Sequence, residues 1–361
     1  MTNPRLFALA AALAGAWSAP CAGQGAPQAL PVVWVLSTGG TISGRGATST
    51  SLAEYKAGAI LGEDLVRSVP EIAQVATVKV EQVANVSSTA ITTAHWLTLA
   101  NRINAIFAAE PQTAGVVITH GTNTLEETAY FLNLTVKDER PVVLVGSMRP
   151  ASAISADGPL NLLNAVRTAV SQEARGKGVL VVLNDEINAA RDVTKTNTYR
   201  VETFQAPELG LLGYVDADRV SFYRAPTRPH TARSEFDVRG LTSLPKVDIV
   251  YSYVDPSPAL VQALVAGGVV GIVFAGTGAG GLSATEREAV TAVAALPPAT
   301  RPVLVRSSRT GNGRVIGTEE WAAFDMVPAD TLNPQKARIL LMLGLTKTSD
   351  VKKLQEIFYQ Y

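Results

Sequence analysis

Short runs of β-branched apolar residues alternate with helical patterns along this chain, and that alternation limits its fold more than any other feature. The first series of runs comprises residues 32–36, 78–83, 115–119, 142–146 and 179–183. The helical patterns between them are at 58–67, 94–109, 125–134 and 160–174. Strands that are almost continuously apolar and are separated by helices form parallel sheets covered on both faces. The sequence therefore predicts a doubly wound, mostly parallel α/β domain.

The alternation stops at a polar, proline-containing stretch and then resumes. The later strand patterns are residues 248–253, 269–274 and 303–306, and the later helical patterns are 258–266, 285–295, 334–343 and 351–359. A break of this kind is typical of an interdomain linker. We expect two domains: a larger N-terminal α/β catalytic domain at 30–223, a linker at 224–245 and a smaller C-terminal α/β domain at 246–361.

The first residues resemble a secretory signal. Arg5 precedes an apolar run at 6–17, which small residues and turn formers follow. The run is too short to span a bilayer. We expect removal at about residue 26, a periplasmic or secreted protein, and no membrane attachment afterwards. Cys21 is the only cysteine, so the mature chain is expected to have neither disulfides nor a thiol nucleophile.

Charge and composition argue against several partners. Lysines and arginines total 31 and acidic residues total 31, a balance that disfavours nucleic acid as a partner. His95, His120 and His230 lack the spacing of metal ligands, so no metal is expected. A G-x-G-x-x-G match at 276–281 lacks the acidic residue of a dinucleotide site. We therefore expect a small-molecule substrate and no cofactor.

Three polar clusters follow strands, where ligands bind in open α/β sheets. They are TGGTISG at 38–44, THGTNT at 119–124 and RDVTKTN at 191–197. Asn123 or Thr124 is expected to cap the next helix, with Glu126 or Glu127 completing a capping box. A tight turn alone explains the glycines of the first cluster, and a solvated loop charge alone explains Lys195. The three clusters together favour a shared site.

Taken in order, several motifs resemble the bacterial type II L-asparaginases. These are TGGTISG, ITHGTNTLEETAYFLNL at 118–134, VGSMRPASAISAD at 145–157, RDVTKTN and DTLNPQKA at 330–337. The likeness extends from about residue 31 to the end of the chain. It implies hydrolysis of L-asparagine to L-aspartate and ammonia through an acyl-enzyme, in a homotetramer built from close dimers.

The resemblance also implies roles for individual residues. Thr41 corresponds to the nucleophile and Tyr55 to the tyrosine that assists it from a flap. Thr122 and Lys195 correspond to a second threonine and its lysine. The implied substrate contacts are Ser88 for the α-carboxylate, Thr89, Asn123 for the α-ammonium, and the Ser147 carbonyl for the amide. Contributions from a neighbouring subunit are implied for Gly281, Glu319 and Glu320.

Three positions depart from the family pattern. Asn123 stands where an aspartate is typical, Thr89 where glutamine is common, and Gly281 where asparagine or serine is common. An uncharged amide weakens the contact with an ammonium group by about 1.5 kcal/mol or more, which is about tenfold in binding. Two alternatives follow: a glutaminase-asparaginase of broad specificity, and a catalytically weak periplasmic amino-acid-binding protein.

Overall fold

A mostly parallel sheet and a smaller parallel sheet organise the part of the chain that the computed structural model describes, residues 29–361. The expected signal segment, 1–26, lies outside it. The strands of the larger domain are β1 (Val32–Gly39), β2 (Arg45–Gly46), β3 (Tyr55–Lys56), β4 (Thr77–Val86), β5 (Thr113–Thr119), β6 (Val142–Val145), β7 (Val179–Leu183), β8 (Glu186–Ala189), β9 (Thr194–Lys195), β10 (Phe204–Gln205), β11 (Gly213–Val215) and β12 (Val220–Phe222). Its helices are α1 (Gly62–Arg67), α2 (Thr93–Ala109), α3 (Leu125–Thr135) and α4 (Gly158–Val170).

The larger sheet has eight strands in the order β12-β11-β8-β7-β6-β5-β1-β4. The five strands from β4 to β7 are parallel, and the pairs from β7 to β12 are antiparallel. β1 and β5 are neighbours, so their carboxyl ends lie side by side. The prediction of a mostly parallel, doubly wound sheet is confirmed.

Apolar side chains on the two faces of this sheet form separate cores. Helices α2 and α3 contribute Trp96, Ile103 and Phe131 to one core, and α1 and α4 contribute Leu65 and Leu162 to the other. The central strands are buried on both sides, which explains their continuous apolar sequence. Polar side chains that could bind a substrate are consequently expected at the strand ends and in the loops.

The smaller domain has a four-stranded parallel sheet in the order β13-β14-β15-β16. These strands are β13 (Val247–Tyr251), β14 (Gly271–Gly276), β15 (Val303–Ser308) and β16 (Val327–Pro328), and the helices are α5 (Ala259–Ala266), α6 (Ala284–Ala294), α7 (Glu319–Ala322), α8 (Pro334–Leu345) and α9 (Val351–Gln360). Helix α8 packs both on its own sheet and against α3 of the larger domain. One apolar core therefore continues across both domains.

Several elements differ from the sequence-based expectations. The helix expected at 58–67 begins only at Gly62, because Gly58 has a φ of +68°, outside the helical region. The helix expected at 160–174 begins at Gly158 and ends at Val170, before a short 3-10 turn. The antiparallel strands β8, β11 and β12 were not foreseen. Among residues 29–361, no helix combines the length and apolarity needed to cross a bilayer.

Candidate active site

The first polar cluster forms a tight turn where β1 ends. Gly39 and Gly40 have φ values of +99° and +84°, a region that favours glycine. Thr41 then begins a short 3-10 turn and is 8% exposed. Its Oγ1 lies 2.8 Å from the phenol oxygen of Tyr55, so the two hydroxyls are hydrogen-bonded. The turn presents a hydroxyl that has a proton-exchanging partner.

Tyr55 belongs to a small surface hairpin made by β2 and β3. Residues 47–50, which lead out of β2, are exposed, and Tyr55 itself is half-buried. Three contacts hold the hairpin and Gly44, directly before it, to the loop before α4. Ala151 N–H donates to the Gly44 carbonyl at 2.9 Å. Gly46 N–H donates to Ser152 Oγ at 2.8 Å, and Ile154 N–H donates to the Ser49 carbonyl at 2.8 Å. The hairpin thus covers Thr41 with few anchors.

The second polar cluster lies between β5 and α3 and carries Thr122. The Lys195 amine donates to Thr122 Oγ1 at 2.8 Å and to Asn123 Oδ1 at 2.9 Å. Lys195 comes from the ribbon of β9 and β10, where it pairs with Phe204. The second and third sequence clusters therefore meet, as predicted, and Lys195 is not a solvated loop charge.

The turns that carry the two threonines touch through their glycines. A Cβ added to Gly40 would lie 2.3 Å from both the Cα and the nitrogen of Gly121, far inside any allowed contact. A Cβ on Gly121 would lie 2.8 Å from the Cβ and Oγ of Ser88. Only glycine permits this approach. Since Thr41 and Thr122 directly follow these glycines, the structure brings the two hydroxyl clusters together.

Ser88 joins the Thr122 turn from the other side. It is 3% exposed, and its Oγ accepts the Asn123 N–H at 3.1 Å. Its carbonyl accepts the Thr124 hydroxyl at 2.8 Å. Thr89 is exposed, and its hydroxyl lies 3.0 Å from Ser87 Oγ. Ser88 is therefore part of the cluster, and Thr89 lies at its surface.

Ser147 is fully buried in the loop between β6 and α4. Its hydroxyl donates to the Arg149 carbonyl at 2.6 Å, so the side chain is engaged within its own loop. A Cβ on Gly158 would lie 3.1 Å from Ile42 Cγ1 and 3.4 Å from Ser147 Cβ. Ser147 accordingly lies beside the residue that follows Thr41.

The capping box expected at the start of α3 is wrong. Thr124 occupies the N-cap position, but its side chain makes no capping hydrogen bond and instead contacts Ser88. The Glu126 carboxylate accepts hydrogen bonds from Thr194 Oγ1 at 3.0 Å and from the Lys195 N–H at 3.3 Å. The Thr124 hydroxyl and the Glu126 carboxylate therefore form tertiary hydrogen bonds and do not cap the helix.

Sequence reasoning gave no site role to Glu126 or to Lys336, which lie behind Lys195. Lys336, from the first turn of α8, is 2% exposed. Its amine donates to the carbonyls of Arg191, at 2.9 Å, and Val193, and lies 3.8 Å from Glu126 Oε2. The only sequence signal for Lys336 was its place in the DTLNPQKA motif.

The electrostatics of the second cluster favour proton transfer. Burial lowers the pKa of the Lys195 amine from its ordinary value. The backbone N–H of Thr122 has no acceptor among the hydrogen bonds of residues 29–361. It lies just before α3, whose positive dipole end favours developing negative charge. An amine whose pKa is lowered and a backbone N–H donor therefore lie beside the Thr122 hydroxyl.

Gly281, Glu319 and Glu320 lie at the carboxyl edge of the smaller sheet. Gly281 closes a turn after β14, its N–H donating to the Thr277 carbonyl at 2.6 Å. Glu319 and Glu320 are exposed in α7. Glu320 pairs with Arg287. Among the hydrogen bonds and ion pairs of the described chain, none joins these residues to the threonine cluster.

The three histidines occupy separate places. His120 is fully buried and bonds to the Gly121 carbonyl at 2.7 Å and to Thr128 at 2.9 Å; burial lowers its pKa to about 4. His95 accepts the Thr92 N–H at the start of α2, and His230 is buried beside Thr231. Within residues 29–361, no group of three or more His, Cys, Asp or Glu residues is arranged to hold a metal ion.

Two concave regions differ in their access to this chemistry. An open depression of about 550 Å³ is lined by Asn123, Glu126, Lys195 and residues 196–198. A cavity of about 310 Å³ lies at the domain junction, where Arg228 and Arg314 both bind Asp330 at 2.9 and 2.6 Å. Arg228, Arg314 and Asp330 are paired with one another there, whereas the depression is lined by Lys195, so the depression is the better candidate for substrate entry.

Comparisons with known proteins agree across both domains. Residues 32–228 match the family model described as Asparaginase, N-terminal, and residues 246–358 match the Glutaminase/Asparaginase C-terminal domain. L-asparaginase 2 of Bacillus subtilis is 51% identical, covering 92% of this chain and 87% of that relative. L-asparaginase 2 of Escherichia coli is 47% identical, covering 94% and 95%. The crystal structure of a probable cytoplasmic L-asparaginase from Campylobacter jejuni matches with a TM-score of 0.88 at 47% identity, covering 92% of this chain and 100% of that one.

Proposed function

Because the chain belongs to the asparaginase family, we propose that it hydrolyses the side-chain amide of L-asparagine to give L-aspartate and ammonia. The resemblance inferred from the motifs is confirmed, and the intact set Thr41, Tyr55, Thr122 and Lys195 favours an enzyme over an amino-acid-binding protein. One observation carries the proposal. Two threonine hydroxyls, each bonded to a group that can exchange a proton, lie on turns in direct backbone contact.

The proposed first step is attack by Thr41 Oγ1 on the amide carbon of the substrate. A threonine hydroxyl is a weak nucleophile until a neighbour accepts its proton, and the bonded Tyr55 phenol is placed to pass that proton on. The carbon–nitrogen bond then breaks, ammonia leaves with the transferred proton, and an ester on Thr41 remains. Water hydrolyses this ester to L-aspartate and restores the hydroxyl.

Thr122 and Lys195 are proposed to support both steps. When water attacks the ester, the Lys195 amine in its neutral form accepts a proton of that water through the Thr122 hydroxyl, 2.8 Å away, and the proton returns to Thr41 Oγ1 as the ester bond breaks. The Thr122 N–H donates to the oxygen that becomes negative in the tetrahedral intermediate. Thr41 therefore forms the ester bond, and Thr122 stabilises the negative charge of the tetrahedral intermediate.

Substrate recognition is proposed to depend on Ser88, Thr89, Asn123 and the Ser147 carbonyl. Ser88 and Asn123 are already joined by a hydrogen bond, so they are placed to bind the α-carboxylate and α-ammonium together. Asn123 contacts the ammonium without a charge. L-glutamine is a second candidate substrate, which the description of the C-terminal family model favours.

Export and assembly complete the proposal. We propose that residues 1–26 direct the chain to the periplasm or outside the cell and are removed, and that the domains divide at the 224–245 linker. The described chain does not itself bring Gly281, Glu319 or Glu320 to the threonines. We propose that they act on a neighbouring subunit of a homotetramer, which light scattering tests; an active monomer would contradict the shared site.

The decisive assay measures ammonia released from L-asparagine and from L-glutamine by the purified protein and by its Thr41→Ala variant. We expect release from asparagine that the substitution abolishes, and the glutamine rate defines the substrate range. Thr50→Ala, on the exposed part of the hairpin, is the matched control. No release from either substrate at high concentration would overturn the proposal in favour of an amino-acid-binding protein.

A further inference from the structure

Lys195 occupies a two-residue strand, an element too short to fix a side chain by itself. Its ribbon with β10 contributes the pairs Lys195–Phe204 and Thr194–Gln205 and ends at the hydrogen bonds of residues 196 and 197 with Thr203. Yet the Lys195 amine reaches both Thr122 and Asn123 at hydrogen-bonding distance. Contacts from outside the ribbon also hold the 191–195 segment.

Glu126 supplies one part of that support. Its carboxylate is 6% exposed and lies one turn beyond Thr122, at the start of α3. One oxygen accepts the Thr194 hydroxyl and the Lys195 N–H, and the other accepts the Asn333 side-chain amide at 3.1 Å. The element that follows Thr122 thus holds the backbone of Lys195 directly.

Lys336 supplies the other part, from the smaller domain. Its buried amine donates to the carbonyls of Arg191 and Val193 and faces the second oxygen of Glu126. These contacts span residues just before Lys195 on the chain. A buried ammonium without such partners would be strongly unfavourable, so the arrangement is satisfied only when the segment lies as observed.

We propose that Glu126 and Lys336 are positioning residues, which fix the 191–195 segment against the start of α3 so that the Lys195 amine stays on the Thr122 hydroxyl. The inference rests on the proposed function. Through Lys336, helix α8 of the smaller domain would then help to position a proton-transfer group of the larger domain. Lys336 is buried outside the depression, and both carboxylate oxygens of Glu126 are already engaged by protein donors.

The test compares Glu126→Gln, Lys336→Met and the double variant with the unmodified protein. Each single substitution is expected to lower kcat at least about tenfold, the effect of losing a charge-assisted hydrogen bond, while KM changes less than about twofold. The double variant is expected to lose no more than the worse single variant, because the two groups act as one unit.

A pH profile separates positioning from general destabilisation. Burial is what lowers the pKa of Lys195, so a loosened segment admits water and returns that pKa towards its ordinary value. The rising limb of kcat against pH should move to higher pH in both single variants. Lys352→Met and Glu356→Gln, exposed on α9, are matched controls that should leave the limb unchanged.

Thr194→Val keeps the test decisive if Lys336→Met fails to fold. It removes one hydrogen bond to Glu126 and preserves side-chain shape. The same shift of the limb, smaller in size, is expected. Folded variants with kcat within twofold of the unmodified protein and an unmoved limb would overturn the inference. Inactivity of the unmodified protein would instead overturn the proposed function.

Discussion

The Thr41 and Thr122 turns touch each other, yet the structures that support their hydroxyls differ. Tyr55 reaches Thr41 from a surface hairpin whose outer residues are exposed. Three hydrogen bonds tie the hairpin and the preceding Gly44 to a neighbouring loop. Lys195 reaches Thr122 from a segment held by two buried charged side chains. The hairpin is suited to opening for substrate, and the buried segment is suited to holding one geometry throughout the reaction.

Removing the hydroxyl of the hairpin-covered turn is expected to have the largest effect. Thr41→Ala should lower kcat by about a thousandfold or more, because no other group can form the ester. Thr41→Ser, which keeps the hydroxyl, is the matched control and should retain measurable turnover. Ammonia release under saturating asparagine measures both. If the Thr41→Ala variant were active, Thr122 and not Thr41 would be the nucleophile.

Removing the phenol hydroxyl of the hairpin should have the next largest effect. Tyr55→Phe keeps the ring over the turn but deletes the 2.8 Å contact with Thr41. We expect kcat to fall by about a hundredfold, within the usual range for a lost proton-transfer group, with a smaller change in KM. Steady-state kinetics measure this loss, and the exposed Tyr199→Phe serves as the control. A change in KM alone would show that Tyr55 closes over the site but does not transfer the proton.

Adding a charge at Asn123, an exposed residue bonded to the Lys195 amine, is expected to have two opposite consequences. Asn123→Asp should improve kcat/KM for asparagine about tenfold, because a carboxylate binds the substrate ammonium more strongly than an amide does. The same carboxylate would face the Lys195 amine, now 2.9 Å from Asn123 Oδ1, and raise its pKa.

The pH profile of Asn123→Asp tests the direction in which the pKa of Lys195 shifts. The neutral amine is the active form, so activity rises as pH passes the lowered pKa of Lys195. In Asn123→Asp this rise should occur at higher pH than in the unmodified protein. Asn197→Asp, on the same depression but away from the Lys195 amine, is the control. No gain in kcat/KM would show that the amide already suffices for recognition.

The smallest effect is expected from loosening the hairpin. Ser152→Ala deletes the acceptor of the Gly46 N–H, a contact that contributes about 1 kcal/mol. KM should rise by about threefold to fivefold while kcat and the thermal midpoint change little, because the hairpin closes less often. Kinetics and thermal unfolding together check this, with Ser155→Ala as the control. A loss of kcat alone would indicate that the hairpin is as rigid as the Lys195 segment.

Sequence patterns predicted the parallel strands well because burial on both faces leaves a continuous apolar signal. They missed β8, β11 and β12, which are three or four residues long and mix polar with apolar side chains. The strand-end clusters and the resemblance together identified Thr41, Thr122 and Lys195. They also led to a capping box at Glu126, because local rules assume that a side chain serves its nearest backbone.

The partners of Glu126 and Lys336 explain why sequence patterns did not reveal them. Glu126 bonds to Lys195, 69 positions along the chain, and Lys336 bonds to Arg191, 145 positions away. No periodicity or capping rule extends over such distances. The place of Lys336 in the DTLNPQKA motif was the only sequence signal, and its partners are defined by the tertiary structure.

The contact between Gly40 and Gly121 has a consequence for mutational tolerance. A single methyl group at Gly40 would overlap the Gly121 backbone, so replacement there must displace a strand end. In a saturation-mutagenesis library, Gly40, which is buried, should tolerate substitution far less than the exposed turn residues 47–50. Efforts to redirect the enzyme towards other amides are therefore better spent on Thr89 and Asn123, where side chains have room to change.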